Sequence, residues 1–175
     1  MPGTDHKIPL SIGFANLIGD EAKTLVTEDA AALGPLFERV RLVEPHQIPT
    51  ANILFVYAQL NENGTIRGVD RSGIRQIAQA TSAAIIVVAS PNSPDSYFNS
   101  AKLDGPKRAN LVLTLDRKGA AFPNFFHALF TKMRDGENMT MPMAWVQLAP
   151  QAPVQPDDIP ATLFLAEGAN LVFPK

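Results

Sequence analysis

The residues that could do chemistry in this chain are polar side chains that follow apolar runs. Gln59, Asn61 and Asn63 follow Ile53–Ala58. Ser90, Asn92 and Ser93 follow Ala84–Ala89, and Asp116 and Arg117 follow Leu111–Leu115. Amides, hydroxyls and carboxylates hydrogen-bond a polar ligand, and a serine becomes a nucleophile when a base stands beside it. Asn and Ser in turns also satisfy loop backbone groups. The candidate binding residues are Gln59, Asn61, Ser90, Asn92, Ser93 and Asp116, with no catalytic and no metal-ligating residue assigned.

Stronger signatures are missing. There is no G-x-G-x-x-G after a strand and no G-x-x-x-x-G-K-[ST], so nucleotide phosphate has no evident cradle. There is no G-x-S-x-G and no H-E-x-x-H. The chain contains no cysteine. That excludes disulfides, zinc thiolates, iron–sulfur clusters and thiol nucleophiles. His6, His46 and His127 have no metal-ligand spacing. His127 falls beside Asn124 and Thr131 on the polar side of a helix and reads as a surface residue. Asp157–Asp158 lies in a proline-rich stretch and reads as a solvated loop. No cofactor is expected.

These residues need elements to position them. Ile8–Ile18 reads as a first strand. Thr27 can cap a helix, with Glu28 and Asp29 in its first turn and Leu33, Leu36, Phe37 and Val40 behind. Gly34-Pro35 bends or splits that helix. Arg39–Val43 is a short strand, and Glu44–Thr50 is a loop. Ile53–Ala58, Ala84–Ala89 and Leu111–Leu115 read as strands buried on both faces, adjacent and parallel. Asn61–Gly64 is a turn, and Asp70 or Ser72 starts a helix carrying Ile74, Ile77 and Ala78. Ser90–Gly105 reads as a long polar loop in which Phe98 packs on the core. Phe122, Phe125, Phe126, Leu129, Phe130 and Met133 keep helical spacing, with Pro123 in the first turn and Gly136 at the end. Met139–Leu148 reads as a further helix. After an extended stretch through Pro150, Pro153, Pro156 and Pro160, Thr162–Ala166 and Ala169–Phe173 read as a closing hairpin.

Alternating strands and helices predict one α/β domain over 1–175, a three-layer sandwich around a mainly parallel sheet. The 46% hydrophobic and 18% charged composition fits a packed core. A net charge of −2 with scattered Lys and Arg offers no field for nucleic acid or an anionic membrane. The first residues lack a signal-peptide pattern and no apolar run spans a bilayer, so a cytoplasmic protein is expected. In such a sheet, ligands sit beyond the strand C-termini. Gln59, Asn61, Ser90, Asn92 and Asp116 are therefore expected to cluster there.

The order of elements resembles the caspase-like fold, in particular its CHAT domains. The blocks that carry the resemblance are Ile53–Leu60 with Asn63-Gly64-Thr65-Ile66, Ile86–Ser93, and Ala109–Asp116. The last leads into Phe126, Leu129, Phe130, Met133 and Gly136, then Met139 and Ala144. In that family one strand ends in a His-Gly pair and the next in the catalytic cysteine. Those positions fall on Gln59-Leu60 and near Pro91. Glutamine has no titratable nitrogen and proline offers no nucleophile. The resemblance thus implies a caspase-like fold without the peptidase dyad and without cleavage at Arg, Lys or Asp. A flavodoxin-like sheet is the alternative.

Together these readings predict a non-catalytic module that binds a protein partner or a small polar ligand. A hydrolase using Ser90 or Ser93 at the strand edge is the competing expectation. Nothing in the sequence fixes an oligomeric state.

Overall fold

A strand can be apolar throughout only if both its faces are covered, and the central strands of this chain are. A computed structural model describes residues 6–69, 72–149 and 160–175. In β3 (Ile53–Tyr57), Ile53, Phe55 and Tyr57 enter one core while Leu54 and Val56 enter a second. In β4 (Ile85–Val88), Ile85 and Val87 face the first core, and Ile86 and Val88 the second. Period-two alternation places successive side chains on opposite faces, so two cores sandwich one sheet.

The other strands are β1 (Ile8–Asn16), β2 (Phe37–Leu42), β5 (Asn110–Asp116) and β6 (Ala161–Ala166). The sheet order is β2-β1-β3-β4-β5-β6. The first five strands run parallel and β6 pairs antiparallel with β5. The expected central strands are therefore adjacent and parallel. One face carries α1 (Lys23–Leu33), α4 (Ala121–Asp135) and α5 (Met141–Leu148). The opposite face carries α2 (Ile74–Thr81) and α3 (Pro94–Lys102). No helix among the described residues is long and apolar enough to cross a membrane.

Four local expectations are corrected. Thr27 does not cap α1. It lies inside the helix and donates to the Lys23 carbonyl at 2.9 Å. The helix is entered earlier, through a 3-10 turn at Asp20–Ala22, and Asp29 is buried rather than in a first turn. The Ser90–Gly105 segment contains α3. Ser93 Oγ accepts from the Ser96 amide, Pro94 opens the helix, and Asp95 sits in the first turn. Its buried aromatic is Tyr97. Phe98 is 60% exposed, with Lys102 Nζ 3.9 Å from its ring centre.

The closing hairpin does not form either. The side chain of Asn110 accepts from the Gly168 amide and donates to its carbonyl, at 3.1 and 3.0 Å. This pins the turn after β6 to the start of β5. The chain then leaves the sheet, and Val172 makes only an isolated bridge to Thr140. Helix α2 starts at Ile74, where the Gln76 side chain accepts from the Gly73 amide at 2.9 Å. Asp70 and Asp157–Asp158 lie outside the described residues.

The aromatic stripe of α4 is the largest body in the first core. Phe122, Phe126, Leu129 and Phe130 are fully buried. Phe55 of β3 meets the Phe126 ring at 5.4 Å in an edge-to-face contact, and Trp145 of α5 meets Phe125 at 5.0 Å. Truncating Phe126 to Ala removes a ring from a site walled by other rings, where collapse is restricted. Denaturant unfolding of Phe126→Ala should show a loss of about 3–5 kcal/mol. A loss below about 1 kcal/mol would mean the stripe is not core.

Candidate functional site

At the C-terminal edge of the sheet, the backbone runs out of ladder partners and side chains take over. Ser90, just beyond β4, is buried. Its hydroxyl accepts from the Ala58 amide at 2.8 Å and donates to the Ala58 carbonyl at 2.7 Å. Asn92 extends the same lacing. Its Oδ1 accepts from the Leu60 amide at 2.9 Å, and its Nδ2 donates to the carbonyls of Ala58 and Ser90. The Tyr97 hydroxyl donates to the Ser90 carbonyl at 2.9 Å. Ser90 and Asn92 therefore prolong the pairing of β3 with β4 beyond the ladder.

The other candidates lie in different company. Ser93 caps α3 and donates to Ser96 Oγ at 3.0 Å. Asn61 stays within its own turn, donating from Nδ2 to Thr65 Oγ1 at 2.9 Å. That turn rests on α3, where Asn99 donates to the Glu62 carbonyl. Gly64 has φ +86°, and a Cβ there would overlap the Ser100 backbone nitrogen, so only glycine fits. Gln59 is exposed, and its Oε1 accepts from Arg67 Nη1 at 2.9 Å. Asp116 turns outward to Lys118 Nζ at 3.0 Å, and that hydrogen bond holds its carboxyl below the ordinary range. The structure brings Ser90 and Asn92 together, and places Gln59, Asn61, Ser93 and Asp116 on separate partners.

Beneath this edge lies a charged cluster that sequence reasoning missed. Asp29 of α1 is fully buried. Its Oδ1 accepts from Arg117 Nη2 at 2.8 Å, and its Oδ2 accepts from Arg117 Nη1 at 2.9 Å and from the Tyr57 hydroxyl at 2.5 Å. Arg117 Nη1 also donates to the Ala89 carbonyl at 2.8 Å, and the guanidinium lies 4.1 Å from the Phe122 ring centre. A fork-shaped cation meets a carboxylate in bidentate geometry and stacks on an aromatic face. The signal was present in the spacing. Asp29 stands four residues from both Leu25 and Leu33, on the inward stripe of α1. An acid on that stripe needs a cation.

The open space lies elsewhere on the same edge. The chain turns to β2 on one side of β1 and to β3 on the other, which makes β1/β3 the topological switch point. A depression of about 440 Å³ opens there, lined by Leu17, Ile18, Asp20, Glu21, Gln59 and Arg67. Asn16 shapes its rim. Its Oδ1 accepts from the Gly19 amide at 2.9 Å, and its Nδ2 donates to the Gly19 carbonyl at 2.8 Å. Gly19 adopts φ +107°, which delivers Asp20 and Glu21 to the start of the helical segment. Acidic side chains there complement the helix dipole. The depression thus joins two carboxylates, an amide and a guanidinium. Sequence reasoning reached Gln59 and missed Asp20, Glu21 and Arg67. His127 is exposed on α4. Among the described residues no group of three or more His, Asp or Glu side chains is placed to hold a metal ion.

Comparison with known proteins gives no match to a family model, a curated protein or a solved structure.

Both tyrosines of the chain belong to this edge. Burial, and secondarily the Asp29 carboxylate, pushes the Tyr57 hydroxyl well above its ordinary value. Burial likewise raises Tyr97. A raised folded-state value means stability that is full below the unfolded value of about 10 and is lost as pH rises through the folded one. Tyrosinate absorbance should therefore stay low past pH about 10 and appear only together with loss of circular dichroism. Early tyrosinate with native dichroism would show that these hydroxyls are not held as described.

Proposed function

We propose that the chain is a non-catalytic binding module of caspase-like fold, with the β1/β3 depression as the seat of a small polar ligand. The observation that carries this reading is the state of the strand ends. The positions of the family's dyad, Gln59-Leu60 and Pro91, flank residues that bond each other directly, since Ser90 Oγ holds both backbone groups of Ala58. A histidine and a cysteine at these places would stand side by side, and here neither is present. The order β3, α2, β4, α3, β5, α4 closed by Gly136, then α5 with Ala144, supports the caspase-like reading, with α3 inserted between the second and third blocks of the resemblance. The flavodoxin-like order 2-1-3-4-5 describes the first five strands and leaves the antiparallel β6 unaccounted for.

The hydrolase alternative finds no support in the geometry. A nucleophilic serine needs its proton on a base, and Ser90 gives its proton to a carbonyl. The ligand class follows from the lining. Asp20 and Glu21 suit an ammonium group. Arg67 keeps guanidinium N–H groups beyond the one spent on Gln59, which suits a carboxylate or phosphate. A small zwitterion satisfies both.

A thermal-shift screen of free amino acids and dipeptides should give a ligand that raises the melting temperature. Arg67→Ala and Gln59→Ala should abolish that shift and leave the ligand-free midpoint nearly unchanged, because both side chains are exposed. Covalent labelling of Ser90 or Ser93 by a serine-directed phosphonate would contradict the proposal and favour the hydrolase.

A further inference from the structure

An edge strand offers a row of unpaired amides and carbonyls to any chain that can lie beside it. In this sheet β2 is such an edge, bonded to β1 alone. Past Phe37 every residue of the strand is exposed. Its two faces differ in chemistry. Val40 pairs with Ile12 and Leu42 with Phe14, so both lie on the face of the α1/α4 core. They are nevertheless 42% and 64% exposed, and Val43 beyond them is 36% exposed. Arg39 and Arg41 pair with Ser11 and Gly13 and lie on the opposite face. There Pro49 and Ala51 close over Gly13 and leave the arginines outside. Among the described residues neither arginine has an ion-pair partner.

A second copy of this chain fits the strand badly. In an antiparallel pair, opposed residues share a face, so a two-fold axis must lie between one residue and its own copy. Centring on Val40 sets Arg39 against Arg41 twice. Centring on Glu38, Arg39 or Arg41 sets that charged residue against its own copy, and no other centre pairs three or more residues of β2. Like charges directly opposite destabilise a pair. An unlike segment has the reverse preference. Acidic residues at alternate positions would meet Arg39 and Arg41, and apolar residues between them would cover Val40 and Leu42.

We propose that β2 is a docking edge for an extended segment of another protein that alternates acidic and apolar residues and adds a strand to the sheet. Backbone bonds supply affinity in such an addition, and alternate side chains supply the choice of partner. This surface is separate from the β1/β3 depression, and its failure leaves that reading untouched.

Fluorescence anisotropy with a labelled peptide alternating valine and glutamate tests the proposal. A second peptide carries lysine in place of glutamate. The glutamate peptide should bind the full chain, more weakly as salt rises, and protect the β2 amides from hydrogen exchange. In the double variant R39E/R41E two attractive pairs become repulsive, so its affinity should fall by about tenfold or more while the lysine peptide gains. The variant's unfolding midpoint should match the parent's, since both arginines are exposed. Absence of binding, equal binding to parent and variant, or self-association of the parent that R39E/R41E abolishes would each overturn the proposal.

Discussion

Asp29 carries a charge that no water reaches, and the C-terminal edge of the sheet is arranged around that fact. An ionised carboxylate in a protein interior is tolerated only with full compensation. Here compensation comes from distant parts of the chain. Arg117 arrives from the end of β5 and Tyr57 from the end of β3, while Arg117 also holds the carbonyl of Ala89 after β4. One acid on α1 therefore fixes how three strands end beneath one helix. Breaking such a pair leaves an unpaired buried charge, whereas the intact pair adds little over a well-packed apolar core. Its value is in defining one arrangement.

That arrangement separates the edge into a closed part and an open part. Where β3 and β4 end, Ser90, Asn92 and Tyr97 lace the backbone together, and polar groups that could have met a ligand meet the protein instead. Where β1 and β3 diverge, no ladder continues and the depression opens beside Gln59 and Arg67. The pair formed by Arg75 and Glu167 does comparable work at the far side. Arg75 binds the Glu167 carboxylate and the carbonyls of Ala101 and Leu103, which ties α2 and the end of α3 to the turn after β6. The depression and the β2 edge both lie outside these two braced clusters.

The central strands were legible in the sequence because burial on both faces writes an unbroken apolar run. Helix α4 was legible because its inward face is a stripe of large side chains at helical spacing. Helix α3 was not, since its buried face consists of Ser96, Tyr97 and Ser100, which make no apolar period. Only the Ser93-Pro94-Asp95 start marked it. The antiparallel ladder of β6 on β5, with the Asn110 side chain holding Gly168, joins segments 58 residues apart. No local pattern records such a choice. The candidate site shows the same division. Residue type and position singled out Ser90 and Asn92, but only geometry shows that their bonds go to Ala58 and Leu60. Asp20 and Arg67 share a depression because β1 lies beside β3, a neighbour relation absent from either segment alone.

A double-mutant cycle on Asp29→Leu and Arg117→Met, followed by urea unfolding, measures the central interaction directly. Each single change should lose about 3–5 kcal/mol, because each strands one buried partner. The double change should lose less than the sum of the two by more than about 1 kcal/mol. Single losses below about 1 kcal/mol that simply add would show that the edge of the sheet does not depend on this pair.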